Sequence, residues 1–207
     1  MLNVQQMKDI AVKSAIFARP LPASQISRPE TPEAVRQVMR HVGATVCIIT
    51  SELSGRLGMV ATAMMSLSLE PPALAIGVNR SASIHDALVQ RGVFCVNVLQ
   101  QSDEGLCREF AAQPGAKRFT VGSWRHDIEG DFRNVPFLST AQSVLFCRII
   151  QKIDSGTHSL LVGSVTKASL TDTKAPLLYC GGRYGGFAAS RSGAGAGALD
   201  DRLEFSN

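Results

Sequence analysis

Charged and aromatic residues are both scarce in this sequence of 207 residues, at 18% and 6% of the chain. The formal net charge of +4 is mild, and the lysines and arginines are scattered instead of gathered into a stripe. Nucleic-acid-binding domains usually concentrate these residues on one face or along one helix. The sequence therefore predicts no nucleic-acid partner, and we interpret the charge as a general attraction for small anions.

Long apolar runs are also absent. No run approaches the roughly 20 residues that a membrane-spanning helix needs, and the N-terminal segment MLNVQQMKDIAVKSAIFARP lacks the continuous apolar region of a signal peptide. Hydrophobic residues nevertheless make up 45% of the chain, enough for one domain with a sizeable core. These features predict a globular protein with no membrane segment.

The five cysteines are odd in number and lack any C-x-x-C spacing. Most lie in apolar runs such as VCII and VFCVNVL, where a free cysteine acts as a small buried hydrophobic residue. This pattern favours a cytoplasmic protein and argues against a disulfide framework or a zinc site. His41, His85 and His126 show no metal-ligand spacing, so we interpret them as surface or packing residues and predict no metal site.

Composition divides the chain into three parts. Three prolines between residues 19 and 30 predict an extended N-terminal arm over residues 1–30. The folded domain is predicted over residues 31–187, and the glycine- and alanine-rich end predicts a flexible tail over residues 188–207. Within that tail, GAGAGA (193–198) matches a nucleotide-binding pattern, but the strand and the helix that this motif needs do not surround it.

Strands dominate the predicted domain. Apolar and β-branched segments predict strands at residues 44–50, 57–69, 73–78, 93–99, 141–153, 158–170 and 177–180. Helices are predicted from Thr31, as N-cap, to Gly43, then near residues 83–90, and from Ser102 to about Ala111. Because strands and crossover helices do not alternate, the pattern excludes a doubly wound parallel sheet. It favours a closed antiparallel barrel with peripheral helices.

The run Gly58–Ile84, GMVATAMMSLSLEPPALAIGVNRSASI, is the most informative segment. Its small residues would let backbone amides approach a flat ligand, and a helix beginning after Asn79 and Arg80 would offer amide groups to an anion. Two simpler explanations stay open: a tightly packed strand at ATAMMS, and an ordinary helix cap at Asn79, Ser81 and Ser83. A phosphate would use several hydroxyls together with Arg80, which a cap does not need.

Three residues stand out in the second half of the chain. His158 begins a predicted strand, and a lone histidine is more often structural or exposed than catalytic. Arg183 and Tyr184 lie in GGRYGGF, whose glycines permit a close approach of the backbone to a ligand, with a solvated loop as the alternative.

A hydrolase site is rejected. Ser83, His85 and Asp86 provide the residue types of a catalytic triad, but the three lie too close together for its geometry. No nucleophile-elbow pattern supports it either.

Ordered landmarks run from about Val35 to Tyr184: GATVCIIT, GMVATAMMSLSLEPP, VNRSASIH, FCVNVL, Phe110 with Phe119, GTHSLLVGSV and PLLYCGGRY. Each is weak alone, but their order and spacing together are specific. The chain resembles the short-chain flavin reductases that supply reduced flavin to two-component monooxygenases. It is similar to the reductase components of 4-hydroxyphenylacetate hydroxylases and to the reductase that serves pyrimidine-ring oxygenation.

The resemblance implies a mainly β fold, an antiparallel, Greek-key-like split β-barrel that binds FMN, or alternatively FAD. It also assigns residues to the two nucleotides. Those expected to line the flavin ring are Val60, Ala61, Thr62 and Ala63. Those expected to face the ribityl-phosphate are Asn79, Ser81 and Ser83. The nicotinamide side is expected to comprise His158, as the catalytic residue, with Arg183 and Tyr184.

The implied function is an NAD(P)H:flavin oxidoreductase with NADH or NADPH as hydride donor and a transient oxygenase as partner. The hydride passes from nicotinamide C4 to flavin N5, so the protein must stack two rings and needs no side-chain acid or base. Two alternatives stay open. One is a non-catalytic flavin carrier or redox sensor, and the other is a reductase of a flavin-linked corrin or metal complex.

A homodimer is predicted as well. A flavin at the rim of a barrel would stay partly exposed in a monomer, and twofold dimers are the commonest soluble oligomers. The N-terminal arm carries Val12, Ile16 and Phe17 among prolines, and we expect it to pack across the partner subunit. A monomer with a disordered arm is the alternative.

Overall fold

The computed structural model describes residues 32–126, 130–171 and 175–188. The chain divides into two compact units, Met1–His41 and Val42–Asn207. The described part of the first unit contains helix α1, Pro32–Arg40, which begins at the predicted proline and has no buried residue. The predicted cap Thr31, the N-terminal arm, the tail from residue 189 onward and its GAGAGA motif lie outside the described residues.

The second unit consists mainly of antiparallel strands, as predicted. The strands described are β1 Ala44–Thr45, β2 Cys47–Glu52, β3 Arg56–Ala61, β4 Met64–Leu69, β5 Pro72–Asn79, β6 Val93–Val98, β7 Trp124–His126, β8 Pro136–Leu138, β9 Ser143–Ser155, β10 His158–Leu170, β11 Leu178–Cys180 and β12 Arg183–Gly185. Seven of them form one sheet in the order β3-β2-β6-β9-β10-β5-β4. Two smaller sheets have the orders β1-β11-β12 and β7-β8.

The two edge strands of the large sheet, β3 and β4, are consecutive in the chain. Only Thr62 and Ala63 separate them, so the sheet must curl until its two edges approach each other. We call these two residues the β3–β4 link. The amide of Gly77 donates to the carbonyl of Ala63 at 2.9 Å, and Met64 N donates to Thr62 O at 3.0 Å.

The link corrects one prediction. The single strand predicted over residues 57–69 is wrong, because the run forms two strands that pair with different neighbours. Its uninterrupted small and apolar residues give no turn signal, so only the pairing reveals the break. Among the described strands no ladder joins β3 to β4, so the large sheet is rolled, and its closure into a barrel stays a prediction.

Apolar side chains cover both faces of the large sheet. Along β2, Ile48 belongs to one buried cluster and Ile49 to a second one. Along β6, Cys95 belongs to the first cluster and Phe94 to the second. Successive strand residues point to opposite faces. The continuous apolar runs of these two strands therefore reflect burial on both sides, unlike the alternating pattern of a half-exposed strand.

Two further helices belong to this unit, α2 His85–Arg91 and α3 Glu104–Ala112. The predicted cap at Ser102 is wrong: α3 follows a 3-10 turn in which the carboxylate of Asp103 accepts from Gln100 N at 3.1 Å. The longest helices described, α1 and α3, have nine residues each, which is too short to cross a bilayer.

Candidate functional site

The candidate site lies where the end of β5 is beside the start of β10. Asn79 is directly opposite His158 in the antiparallel ladder, and Gly77 is opposite Leu160. Opposed residues project to the same face of a sheet, so Asn79, the exposed His158 and the bare backbone of Gly77 share one face. The hydroxyl of Thr157 lies 2.9 Å from Nδ1 of His158 and orients its ring. Asn79, predicted for the phosphate side, and His158, predicted for the nicotinamide side, therefore meet here.

The segment predicted to line the flavin ring approaches the same place. Val60 is half-buried and Ala61 is buried, whereas Thr62 and Ala63 are exposed. The hydrogen bond from Gly77 to Ala63 holds the β3–β4 link against β5, two residues before that strand ends. A Cβ atom on Gly77 would come within 3.2 Å of Ala63 Cβ, so the absent side chain permits this close approach.

The connection from β5 to α2 is braced by its own side chains. Asn79 Oδ1 accepts hydrogen bonds from the backbone N and the hydroxyl of Ser81, each at 2.9 Å. Arg80 donates to carbonyl groups of the Gly156–Thr157 turn, from its backbone N at 2.9 Å and from Nη2 at 2.6 Å. Asn79 and Ser81 thus make the bonds of a local turn, the simpler alternative, while Ser83 is exposed to solvent.

Arg183 and Tyr184 lie on β12 and contact a different set of residues. Tyr184 Oη accepts a weak hydrogen bond from Cys107 Sγ at 3.6 Å, and the Arg108 guanidinium lies 4.7 Å from the tyrosine ring centroid. Burial, and then the bond to Cys107, raises the pKa of Tyr184 to about 12, so the phenol is neutral at physiological pH. The roles of Cys107 and Arg108 were not foreseen, because no local pattern links them to a residue so distant in sequence.

The small sheet adjoins the β3–β4 link through the start of β2. Cys47 is opposite Ala61 at the end of β3, and three residues earlier Ala44 is opposite Tyr179. Tyr179 is in turn opposite Tyr184. A strand rises about 3.3 Å per residue. The pairing of β1 with the β11–β12 hairpin therefore begins about 10 Å from the β3–β4 link, measured along the chain. The predicted residues thus form two groups, one at Asn79 and one at Tyr184.

A hydrogen-bond chain runs through the buried side chains of His85 and Ser159, the residue after His158. The hydroxyl of Ser159, the next residue, lies 3.0 Å from Nε2 of His85 and donates to Asp154 Oδ1 at 2.6 Å. On its other side, His85 Nδ1 lies 3.1 Å from Asp86 Oδ1. The sequence predicts a surface or packing role for His85 and does not predict this polar network. His85 and Ser159 are 74 residues apart, and only the fold brings them together.

An open depression of about 460 Å³ lies elsewhere on the surface and is lined by Gln100, Gln101, Ser102 and Ala175. It contains none of the predicted site residues and no ionisable side chain. We therefore place the candidate site at the Asn79–His158 face, where exposed backbone and titratable side chains meet.

Comparison with known proteins identifies the family. Residues 39–188 match the family model of the flavin reductase like domain. The chain belongs to this family. It is 36% identical over 169 residues to the FMN reductase (NADH) RutF of Stutzerimonas stutzeri, an alignment that covers 81% of this chain and 95% of the relative. It is 37% identical over 166 residues to the reductase component of a FADH(2)-dependent resorcinol hydroxylase of a Rhizobium species, covering 78% and 89%.

Solved flavin reductase structures share the fold. The NADH:FAD oxidoreductase of Streptomyces globisporus superposes with a TM-score of 0.73 at 28% identity, over 83% of this chain and 100% of that protein. The same enzyme in complex with NAD and FAD fragments gives a TM-score of 0.72 over 81% of this chain and 99% of that protein. The family resemblance predicted from the sequence landmarks is confirmed.

Proposed function

We propose that this flavin reductase family member is an NAD(P)H:flavin oxidoreductase that reduces FMN, or FAD, and supplies the reduced flavin to a partner monooxygenase. The observation that carries the proposal is the meeting of Ala63, Asn79 and His158 at one face, where β5 ends and β10 begins. The relatives named as an FMN reductase and as a hydroxylase reductase component support the same activity.

The residues of this face fit a flavin. We assign the exposed backbone of the β3–β4 link, with Val60 and Ala61 before it, to the isoalloxazine ring, which can approach because Gly77 presents no side chain. The ribityl-phosphate is assigned to Asn79, Ser81 and Ser83. Because Asn79 Oδ1 accepts both bonds from Ser81, the amide hydrogens on Nδ2 are the donors that Asn79 can offer a phosphate.

The chain's own residues bind and orient the two nucleotides. The bound flavin supplies the redox chemistry by accepting a hydride from the nicotinamide. His158 is exposed and oriented by Thr157, and we assign it to contact the nicotinamide. Arg183 and Tyr184 are assigned to the same nucleotide, where the high pKa of Tyr184 keeps its phenol neutral. Hydride transfer requires alignment rather than proton transfer, so these residues act by positioning.

We assign the rolled sheet to a split β-barrel and its assembly to a homodimer. Met65 is opposite Ala75 and Ile153 is opposite Leu160, so both side chains project to the face of the candidate site. They are 54% and 44% exposed. A second subunit on this face would bury both side chains and cover a flavin that one subunit leaves open.

We place the reductase in the cytoplasm, in transient contact with its oxygenase. Cys47, Cys95, Cys107 and Cys147 are buried free thiols, the state that a reducing compartment maintains.

A reductase assay tests the proposal. The protein is mixed with NADH or NADPH and with FMN or FAD, and the loss of nicotinamide absorbance is followed against thermally denatured protein. Turnover above the uncatalysed rate is expected with at least one pair. Flavin binding without turnover for every pair would indicate a carrier or redox sensor, and the absence of both binding and turnover would overturn the assignment.

A further inference from the structure

Arg80 joins the segment assigned to the flavin phosphate to the turn that precedes His158. It follows Asn79, the last residue of β5, and its side chain is exposed. Gly156 and Thr157 form the turn between β9 and β10, and His158 begins β10. Arg80 bonds to both turn residues: its backbone N donates to Thr157 O at 2.9 Å, and Nη2 donates to Gly156 O at 2.6 Å.

The bond from the guanidinium matters because Gly156 leaves the turn adjustable. Gly156 has a φ of 55°, and a Cβ atom placed on it would meet open space, so packing does not hold the turn. The ladder pair Ser155 and His158 fixes the two ends of the turn. A glycine permits several orientations of the peptide that follows it. The bond to the Gly156 carbonyl therefore selects one orientation of the Gly156–Thr157 peptide.

The orientation of this peptide reaches the imidazole through Thr157. The peptide plane sets the backbone dihedral at the Thr157 nitrogen, and this dihedral sets the direction of the threonine side chain. The Thr157 hydroxyl lies 2.9 Å from Nδ1 of His158. A continuous series of contacts therefore leads from the Arg80 guanidinium, through the Gly156–Thr157 peptide and the Thr157 hydroxyl, to the His158 ring.

Direct binding of the flavin phosphate is the competing role for Arg80. A guanidinium that serves a phosphate usually offers it two parallel donors, but here Nη2 donates to a carbonyl group. A carboxylate also lies close by. Hydrogen bonds from Lys152 and Ser159 hold the pKa of Asp154 below its ordinary value, and the positive charge of Arg80 lowers it further. Both observations favour a bracing role over anion binding.

We propose that Arg80 is a positioning residue for hydride transfer: its guanidinium fixes the turn that orients His158 toward the nicotinamide. The inference rests on the proposed function, because His158 contacts the nicotinamide only in that assignment. Arg80 itself touches neither reacting ring. A residue between two members of the flavin-phosphate group, Asn79 and Ser81, thus acts on the other nucleotide.

The test is Arg80→Met, which keeps an unbranched side chain, removes the guanidinium donors and leaves the backbone bond to Thr157 in place. Two quantities are measured: the dissociation constant of FMN, and kcat/KM for the nicotinamide nucleotide at saturating FMN. We expect kcat/KM to fall about fivefold, because a misplaced positioning group costs rate. The affinity for FMN should stay within about twofold of wild type, a change worth under half a kcal/mol.

Two further variants test the same series of contacts. Thr157→Val removes only the hydroxyl that contacts His158, at an exposed position, and should lower kcat/KM in the same way. The matched control Arg125→Met removes an exposed arginine on β7 and should follow wild type. Comparison with this control separates loss of the brace from loss of one positive charge.

A double-mutant cycle separates positioning from general stabilisation. If Arg80 acts through His158, adding Arg80→Met to His158→Ala should cause no further fall in kcat/KM, because residues in one network are not additive. A loss of stability, in contrast, would lower activity equally in both backgrounds. Thermal melting of the four proteins checks that each is folded at the assay temperature.

The outcomes distinguish the inference from the proposed function. If wild type reduces no flavin, both fail. If wild type is active but Arg80→Met weakens FMN binding, spares riboflavin binding and keeps kcat/KM, Arg80 is a phosphate ligand, and the inference is overturned while the reductase assignment stands. An equal fall in kcat/KM with and without His158 also overturns it. A fall that requires His158 and is reproduced by Thr157→Val supports the inference.

Discussion

His158 lies directly opposite Asn79 across β10 and β5, although the two residues are far apart in the sequence. The register carries both side chains to one face of the sheet, beside the unsubstituted backbone of Gly77. A residue predicted for the nicotinamide and one predicted for the flavin phosphate are therefore neighbours in the fold. The first prediction therefore concerns His158, whose position next to Asn79 is fixed by the strand register.

Replacing His158 with alanine should impair use of the nicotinamide and spare flavin binding. The imidazole is exposed and is oriented by Thr157, so its removal takes away a positioning contact without opening the core. We expect the rate of hydride transfer to fall, or the nicotinamide KM to rise, by about tenfold. Stopped-flow reduction of bound flavin measures the rate. His126→Ala serves as control, and an unchanged rate and KM in His158→Ala would remove the residue from the site.

The second prediction concerns assembly. Wild type should scatter light with a mass near twice the chain mass of 22.1 kDa. Ile153→Glu places a charge on the apolar face of the candidate site and should shift the mass toward that of one chain, because an unpaired charge is costly to bury. Val89→Glu, at an exposed position on α2, should leave the mass unchanged. A wild-type mass near 22.1 kDa would contradict the dimer.

Packing at Gly163 gives the third prediction. A Cβ atom there would lie 2.7 Å from Phe94 Cζ and 3.0 Å from Cys147 Cβ, both buried. Gly163→Ala should lower the free energy of unfolding by about 1–3 kcal/mol. Thermal melting reports the change as a drop of several degrees. Gly105→Ala, in α3 with open space around it, should instead stabilise by about 0.5–1 kcal/mol. Equal effects at the two glycines would refute the packing explanation.

Thiol reactivity gives the fourth prediction. Burial raises the pKa of Cys47 and of Cys147 to about 12, and it also raises the pKa of Cys95 and Cys107. Thiolate is the reactive form, so these four should resist alkylation at pH 7 in the native protein. The exposed Cys180 should react first. Mass spectrometry should show one rapid modification, which Cys180→Ser removes, and five modifications after denaturation.

The sequence predicts β2 and β6 well, because burial on both faces gives each strand a continuous apolar run. It misses β7, β8 and β12, which have three residues each and are too short for a period to be visible. It also joins β3 to β4, since nothing in the run Val60–Met64 resembles a turn. In both cases, hydrogen-bond pairing with other strands determines where the element begins and ends.

The site is only partly predictable for the same reason. The resemblance assigns Asn79 and His158, and the register brings them together. Tyr184 is recognised, but not its contacts with Cys107 and Arg108 on α3. His85 shows the limit most clearly: its neighbours in sequence are hydrophobic or acidic, and its decisive partner Ser159 is reached only through the folded sheet.

The β3–β4 link has only two residues, so the fold should not tolerate an insertion at this point. Side chains alternate along a strand, so inserting a single codon between Thr62 and Ala63 would force β4 either to slip by one residue or to invert its two faces. Met65 would then exchange places with Met64, which packs against the interior cluster. One added residue would thus disturb the proposed subunit contact and the proposed flavin-ring site together, although no existing side chain had been altered.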